Sequence, residues 1–207
     1  MPRPNDVTLV QRRQVVLARL RTSTAGAVAK AWDSLDAYSD SEIELFIRRA
    51  HPALAAGQER AFWLTVSHLQ ALLGQSVDAD LGLLDSAQID LEQPFIAMRR
   101  SLAAGDGLKL AIAAGRARAE GVGESGVQWA SRAANQAVDD EPRVHGWRRT
   151  LTRKACSWCQ QVAEQVYRTA DSASFGHLHC DCGVDPIIES RDPGRVVNSQ
   201  VLDDLEP

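Results

Sequence analysis

The stretch Cys156–Cys182, CSWCQQVAEQVYRTADSASFGHLHCDC, contains all four cysteines of the 207-residue chain, together with His177 and His179. Cys156 and Cys159 form C-x-x-C, a spacing that lets two thiolates on one tight turn reach a single zinc ion. His177 and Cys180 repeat that spacing as H-x-x-C, and Cys182 adds C-x-C. A structural zinc site takes four tetrahedral ligands from thiolate and imidazole. Cys156, Cys159, His177 and Cys180 would supply them, and Cys182 or His179 can replace one. Two ligand pairs separated by a short insert are a more specific signal than a lone C-x-x-C. Within the insert, Val162, Ala163, Val166 and Tyr167 keep helical spacing, which predicts a helix starting at the second thiolate. The expected product is a small knuckle joining segments with too little apolar mass to form a core alone.

Two other readings compete with structural zinc: a metal-free knuckle held by packing or a disulfide, and catalysis. A thioredoxin-like C-x-x-C belongs in a βαβ context, which nothing upstream supplies. A Cys–His nucleophile would need an orienting partner that the sequence does not offer. A catalytic zinc keeps one position open for water and has a carboxylate nearby; Asp181 and Asp185 are near, but the surplus of thiols favours a closed site. There is no G-x-S-x-G elbow or H-E-x-x-H helix, and pairing Ser157 with His145 would rest on proximity alone. No catalytic residue is expected.

Outward from the cluster, composition sets bounds. Apolar residues make up 44% and charged residues 24%, ordinary globular usage. A net charge of −4 gives no global pull toward nucleic acid, so any such contact needs a local patch. No apolar run approaches the roughly 18 residues of a bilayer span. The opening MPRPNDVTLVQRRQ lacks the apolar core of a secretory signal, so a reducing cytoplasm is the expected site of synthesis, and structural disulfides are disfavoured there.

The chain ahead of the cluster reads as helical. Val10, Leu17, Leu20, Ala27, Val28, Ala31, Trp32 and Leu35 keep helical spacing, with Asp6 at an N-cap position. Ser39 and Glu42 stand at capping-box spacing before a second helix that Pro52 is expected to break or kink. Phe62, Val66, Leu69 and Leu73 continue the stripe; His51 and His68 read as surface or partly buried helix residues. A connection with one helical turn leads to Pro94–Ala104, and helices over Leu108–Glu120 and Gly123–Val138 follow, punctuated by GVGESG. Val144, Trp147 and Leu151 suggest a strand. Arg143, Arg148, Arg149, Arg153 and Lys154 form a candidate partner- or phosphate-binding patch, against the plainer reading of a solvated strand face. The expected fold is mainly α: a helical body over 1–138, a small C-terminal α+β Cys/His knuckle over 139–189, and an acidic tail over 190–207, free to dock, whose order the sequence leaves open.

The segment HGWRRTLTRKACSWCQQVAEQVYRTADSASFGHLHCDCGVDPI resembles the C-terminal pattern of the Mu F-like minor capsid, or head morphogenesis, proteins of tailed phages. There a G-aromatic-R-R segment leads into C-x-x-C, an A-x-x-x-Y element, H-x-x-C-x-C and a proline. Here these are Gly146, Trp147, Arg148, Arg149, Cys156, Cys159, Ala163, Tyr167, His177, Cys180, Cys182 and Pro186. The resemblance implies a low-copy virion protein located at the portal and head interior. It would act in head assembly, with the portal and other head proteins as partners and packaged DNA as a candidate contact. It implies no membrane or small-molecule substrate. A capsid maturation protease and a zinc-stapled nucleic-acid-binding module are the alternatives.

Overall fold

The computed structural model describes residues 3–84, 90–173, 180–189 and 191–204. Four long or medium helices form the body: α1 (Pro4–Asp33), α2 (Ile43–Leu73), α3 (Gln93–Ala103) and α4 (Leu108–Gln136). At one end lies a small layer built from β1 (Val144–Thr150), α5 (Ser157–Gln161), β2 (Val166–Tyr167), α6 (Ala170–Ala173), β3 (Gly183–Ile188) and α7 (Pro193–Asp203). The fold is mainly α with a small antiparallel sheet beside a C-terminal cysteine cluster, as the sequence predicts.

The body is held by apolar stripes at helical spacing. Trp32, Phe46 and Phe95 meet edge to face, with centroids 4.9 to 5.9 Å apart, at the end farthest from the sheet. Leu17, Phe62, Val66, Val127 and Ala130 fill the middle. Toward the sheet, Leu69, Leu72 and Val138 pack on Trp147, Val184 and Ile188.

Three local expectations are corrected. First, α4 is continuous from Leu108 to Gln136, with the glycines of GVGESG inside it. Gly123 of that motif and Gly115, earlier in the helix, are spacing devices: a Cβ on Gly123 would lie 2.6 Å from the Ala25 Cα, and one on Gly115 would lie 2.2 Å from the Trp32 ring. Small residues let α1 and α4 approach at backbone distance. Second, of the two effects expected at Pro52 the break does not occur, since α2 runs through it. Pro52 and Arg48 are both exposed, so the carbonyl that loses its helical donor faces water. Third, Ser39 makes no side-chain cap; instead the Glu42 carboxylate accepts from Asp36, Ala37 and Tyr38 N–H at 3.1, 2.7 and 2.6 Å. Likewise Asp6 stands inside the first turn of α1, where it accepts from Arg3 N–H and pairs with Arg191.

The sheet has order β2-β1-β3, all antiparallel, with β1 central. Val166 and Tyr167, expected in a helix, pair instead with Arg148 and Trp147. The helix that begins at the C-x-x-C ends at Gln161.

Residues 191–204 of the tail pack against the rest of the fold. Asp192 caps α7 by accepting from Arg195 N–H at 3.0 Å and receives a forked contact from Arg148 at 2.8–3.1 Å. Asn198 is fully buried: its Oδ1 accepts from Leu151 N–H at 2.7 Å, and its Nδ2 donates to the Arg149 and Ala163 carbonyls at 2.8 Å. Val197 and Val201 pack with Val10 and Leu151.

Gly123→Ala should therefore lower stability by roughly 1–3 kcal/mol, since its methyl meets backbone that cannot step aside. Gly26→Ala, in the interior of α1 with open space around its Cβ, should raise stability by up to about 1 kcal/mol. Urea unfolding of the two variants checks both signs.

Candidate metal centre

The cysteine cluster forms where two turns meet. Cys156 is the N-cap of α5, its Sγ accepting from Cys159 N–H at 3.5 Å, and this places Cys159 one turn into the helix, facing inward. Cys180 and Cys182 lie on the approach to β3. The sulfurs of Cys159, Cys180 and Cys182 all lie within 4.8 Å of one another, those of Cys159 and Cys180 at 3.5 Å. All three residues are buried, and none of the four cysteines is in a disulfide. A tetrahedral ion with metal–sulfur bonds of about 2.3 Å holds its sulfurs about 3.8 Å apart. The three cysteines are thus close enough to bind a metal ion. Thiolate-rich donor sets of this kind suit zinc, copper(I) or iron–sulfur chemistry.

The electrostatics favour one anionic sulfur, that of Cys180, over its two neighbours. Arg149, 2% exposed, reaches Cys159 Sγ at 3.5 Å and Cys180 Sγ at 3.8 Å, donates to Ala173 O, and lies 5.0 Å above the Trp158 ring. Hydrogen bonds from the Cys182 thiol, the Cys182 backbone and the Cys159 thiol, with Arg149 alongside, bring the Cys180 thiol down to about 5 against the opposing effect of burial. Burial pushes Cys159 up to about 11 despite Arg149. Cys182 is pushed up as donor to Cys180 and by burial. One thiolate is available without metal; a bound cation would displace the other protons.

The loop bearing the cysteines is anchored to the helical body. Cys180 O accepts from Arg21 at 2.5 Å and Gln128 at 3.2 Å, and Arg21 also pairs with Asp181 at 3.5 Å. Between them is a cavity of about 50 Å³, large enough for water, whose lining includes Leu17, Arg21, Gln128, Arg149, Cys180 and Val184.

Next to the cluster stands a buried polar network that the apolar pattern did not reveal. Asp185 is 1% exposed; its carboxylate receives Thr150 Oγ1 at 2.6 Å, Arg13 at 3.1 Å and His68 Nε2 at 2.8 Å. Burial works against its charge, but Arg13 and the hydrogen bonds from His68 and Thr150 outweigh it and hold its pKa down to about 2. His68, expected at or near the surface, is buried, and its pKa is lowered by that burial and then by Arg13. His51 is exposed as expected.

The sequence-predicted sites are therefore redistributed. Cys159, Cys180 and Cys182 come together. Cys156 adjoins them but is not within the close group. His177 and His179 lie outside the described residues. The basic segment is not one patch. Arg148 and Arg149 are buried, and Arg143 pairs with Glu141 and donates to Leu73 O at 2.9 Å. Their guanidinium groups satisfy carbonyls and carboxylates within the fold, because β1 is the central strand. Arg153 and Lys154 alone of the five are exposed. No protein-family model matches the chain, and no curated protein or solved structure matches it either.

Replacing Cys159, Cys180 or Cys182 singly by Ser should weaken metal binding by at least about tenfold, as read by competition with a chromophoric chelator; Arg149→Gln should weaken it by about tenfold without removing a ligand. The His68 environment sets a pH dependence. Its folded pKa lies below the unfolded value of about 6.5, so the unfolded chain takes up a proton that the fold excludes, and stability falls as pH drops below that value. His68→Gln should flatten this slope in urea unfolding between about pH 7.5 and about pH 5.5.

Proposed function

We propose that the protein is a phage virion structural protein of the Mu F-like minor capsid, or head morphogenesis, type, and that its cysteine cluster holds one structural zinc ion. The observation that carries this reading is the meeting of Cys159, Cys180 and Cys182 in a buried site. These cysteines belong to the same motif on which the family resemblance rests. Zinc fits a closed, thiolate-rich site whose task is to hold two chain segments together, since it brings no redox chemistry and accepts tetrahedral sulfur and nitrogen ligands. The fourth ligand would be Cys156 or His177. In this reading the protein acts by contact: it associates with the portal and the head interior during assembly, with the staple fixing the surface it presents.

Packaged DNA is the weaker part of the partner list. Three of the five basic residues that would have met phosphate are engaged inside the protein. Contact with other head proteins is the half that this reading keeps.

Mass spectrometry of purified heads from the phage that encodes the chain should find it at low copy, and elemental analysis of the isolated protein should find one zinc per chain. Absence from the heads would overturn the virion assignment; zinc absent from a chain that is found in heads would overturn the staple alone.

A further inference from the structure

Arg153 and Lys154, the two exposed residues of the basic segment, border a groove of about 760 Å³ on the face where α1, α7 and the loop after β1 meet. We propose that this groove docks an acidic peptide segment of a partner protein, one that sets apolar side chains on the floor and carboxylates against the rim. The inference does not depend on the virion reading.

The floor is apolar. Val15 is 51% exposed on α1, Ala18 is half-buried beside it, and Val201 of α7 closes the far side over Leu151 and Val197. An exposed valine at the mouth of a trough between two helices gives an incoming side chain surface to cover. Covering this apolar area supplies binding that a phosphate backbone would not exploit.

The rim is positively charged once internal pairs are set aside. Two acids line the groove. Asp181 is paired with Arg21 at 3.5 Å, and Asp204 with Arg153 at 3.3 Å. Arg19 and Lys154 have no acidic partner among the described residues, and both are exposed. The Arg153–Asp204 pair is itself largely solvated, with side-chain exposures of 85% and 55%, so an incoming carboxylate can share or replace it at little cost. Opposite charge on the occupant would steer its approach and set register, while the floor supplies holding. Gln11 and Gln200, both exposed and hydrogen-bonded to each other at 3.2 Å, keep further amide donors and acceptors for a peptide backbone, whereas Gln14 is engaged inside the fold.

A random-peptide display library selected against the full-length protein tests this directly. Enriched peptides should combine Asp or Glu with Leu, Ile, Val or Phe. A synthetic copy of the strongest, followed by fluorescence anisotropy, should lose at least about tenfold in affinity to the Arg19→Glu/Lys154→Glu double variant and to Val15→Asp. Both variants alter exposed positions, so unchanged thermal unfolding serves as the check on folding. No enrichment, enrichment of basic peptides, or undiminished binding to the charge-reversed protein would overturn the proposal. So would a labelled DNA oligonucleotide that binds and depends on Arg19 and Lys154, because it would assign the rim to phosphate.

Discussion

A single carboxylate, Asp185, ties the helical body to the sheet. It is buried, and it takes a hydrogen bond from Thr150 on the neighbouring strand, an ion pair from Arg13 of α1 and a hydrogen bond from His68 of α2. An ionised group in the interior is costly unless its partners surround it, and here three elements each contribute one. Arg13 also donates to Val184 O at 2.6 Å, and neighbouring Gln14 donates to Thr150 O at 3.0 Å, so the first helix is hydrogen-bonded to two strands. The position of β3 follows from this arrangement, and the C-x-C turn is held just before β3. The cysteine cluster is thus oriented from the body, not only from its own small layer.

That dependence explains which parts were legible in the sequence. The bundle was legible because its stripes are apolar and periodic: Val10, Leu17, Val28, Trp32, Phe46, Phe62 and Leu69 are all buried. Cys159, Cys180 and Cys182 were legible because metal-ligand spacing is a local pattern. The interface between them was not. Arg13, Gln14, Arg21, His68 and Asn198 read as surface residues on any hydropathy criterion, yet they are buried because each meets a specific carbonyl or carboxylate far away in the chain. The order of the acidic tail was not legible for the same reason. Its helix is joined to β1 through Asp192 and Asn198, contacts that an apolar pattern does not show. The continuous α4 was hidden by glycines that serve close packing against α1, a purpose no one-dimensional pattern separates from a turn.

The same arrangement separates two roles within the basic segment. Arg148 and Arg149 act inside the protein, the first joining β1 to α7 and the second facing the cysteine sulfurs. Arg153 and Lys154, only a few residues on, face solvent at the edge of the groove between α1 and α7. Asp181 belongs to both settings: it lies between two of the clustered cysteines and also lines the groove. Whatever holds the C-x-C turn in place also shapes one wall of the groove.

The central claim is that the buried cysteines form one metal site. Reconstitution of the metal-free full-length chain with cobalt(II), followed by visible absorption, tests it most directly. The account predicts saturation at one cobalt per chain, with intense thiolate-to-cobalt charge transfer and the ligand-field bands of a tetrahedral ion. The absence of saturable binding, or the pale spectrum of cobalt in an octahedral oxygen environment, would contradict it.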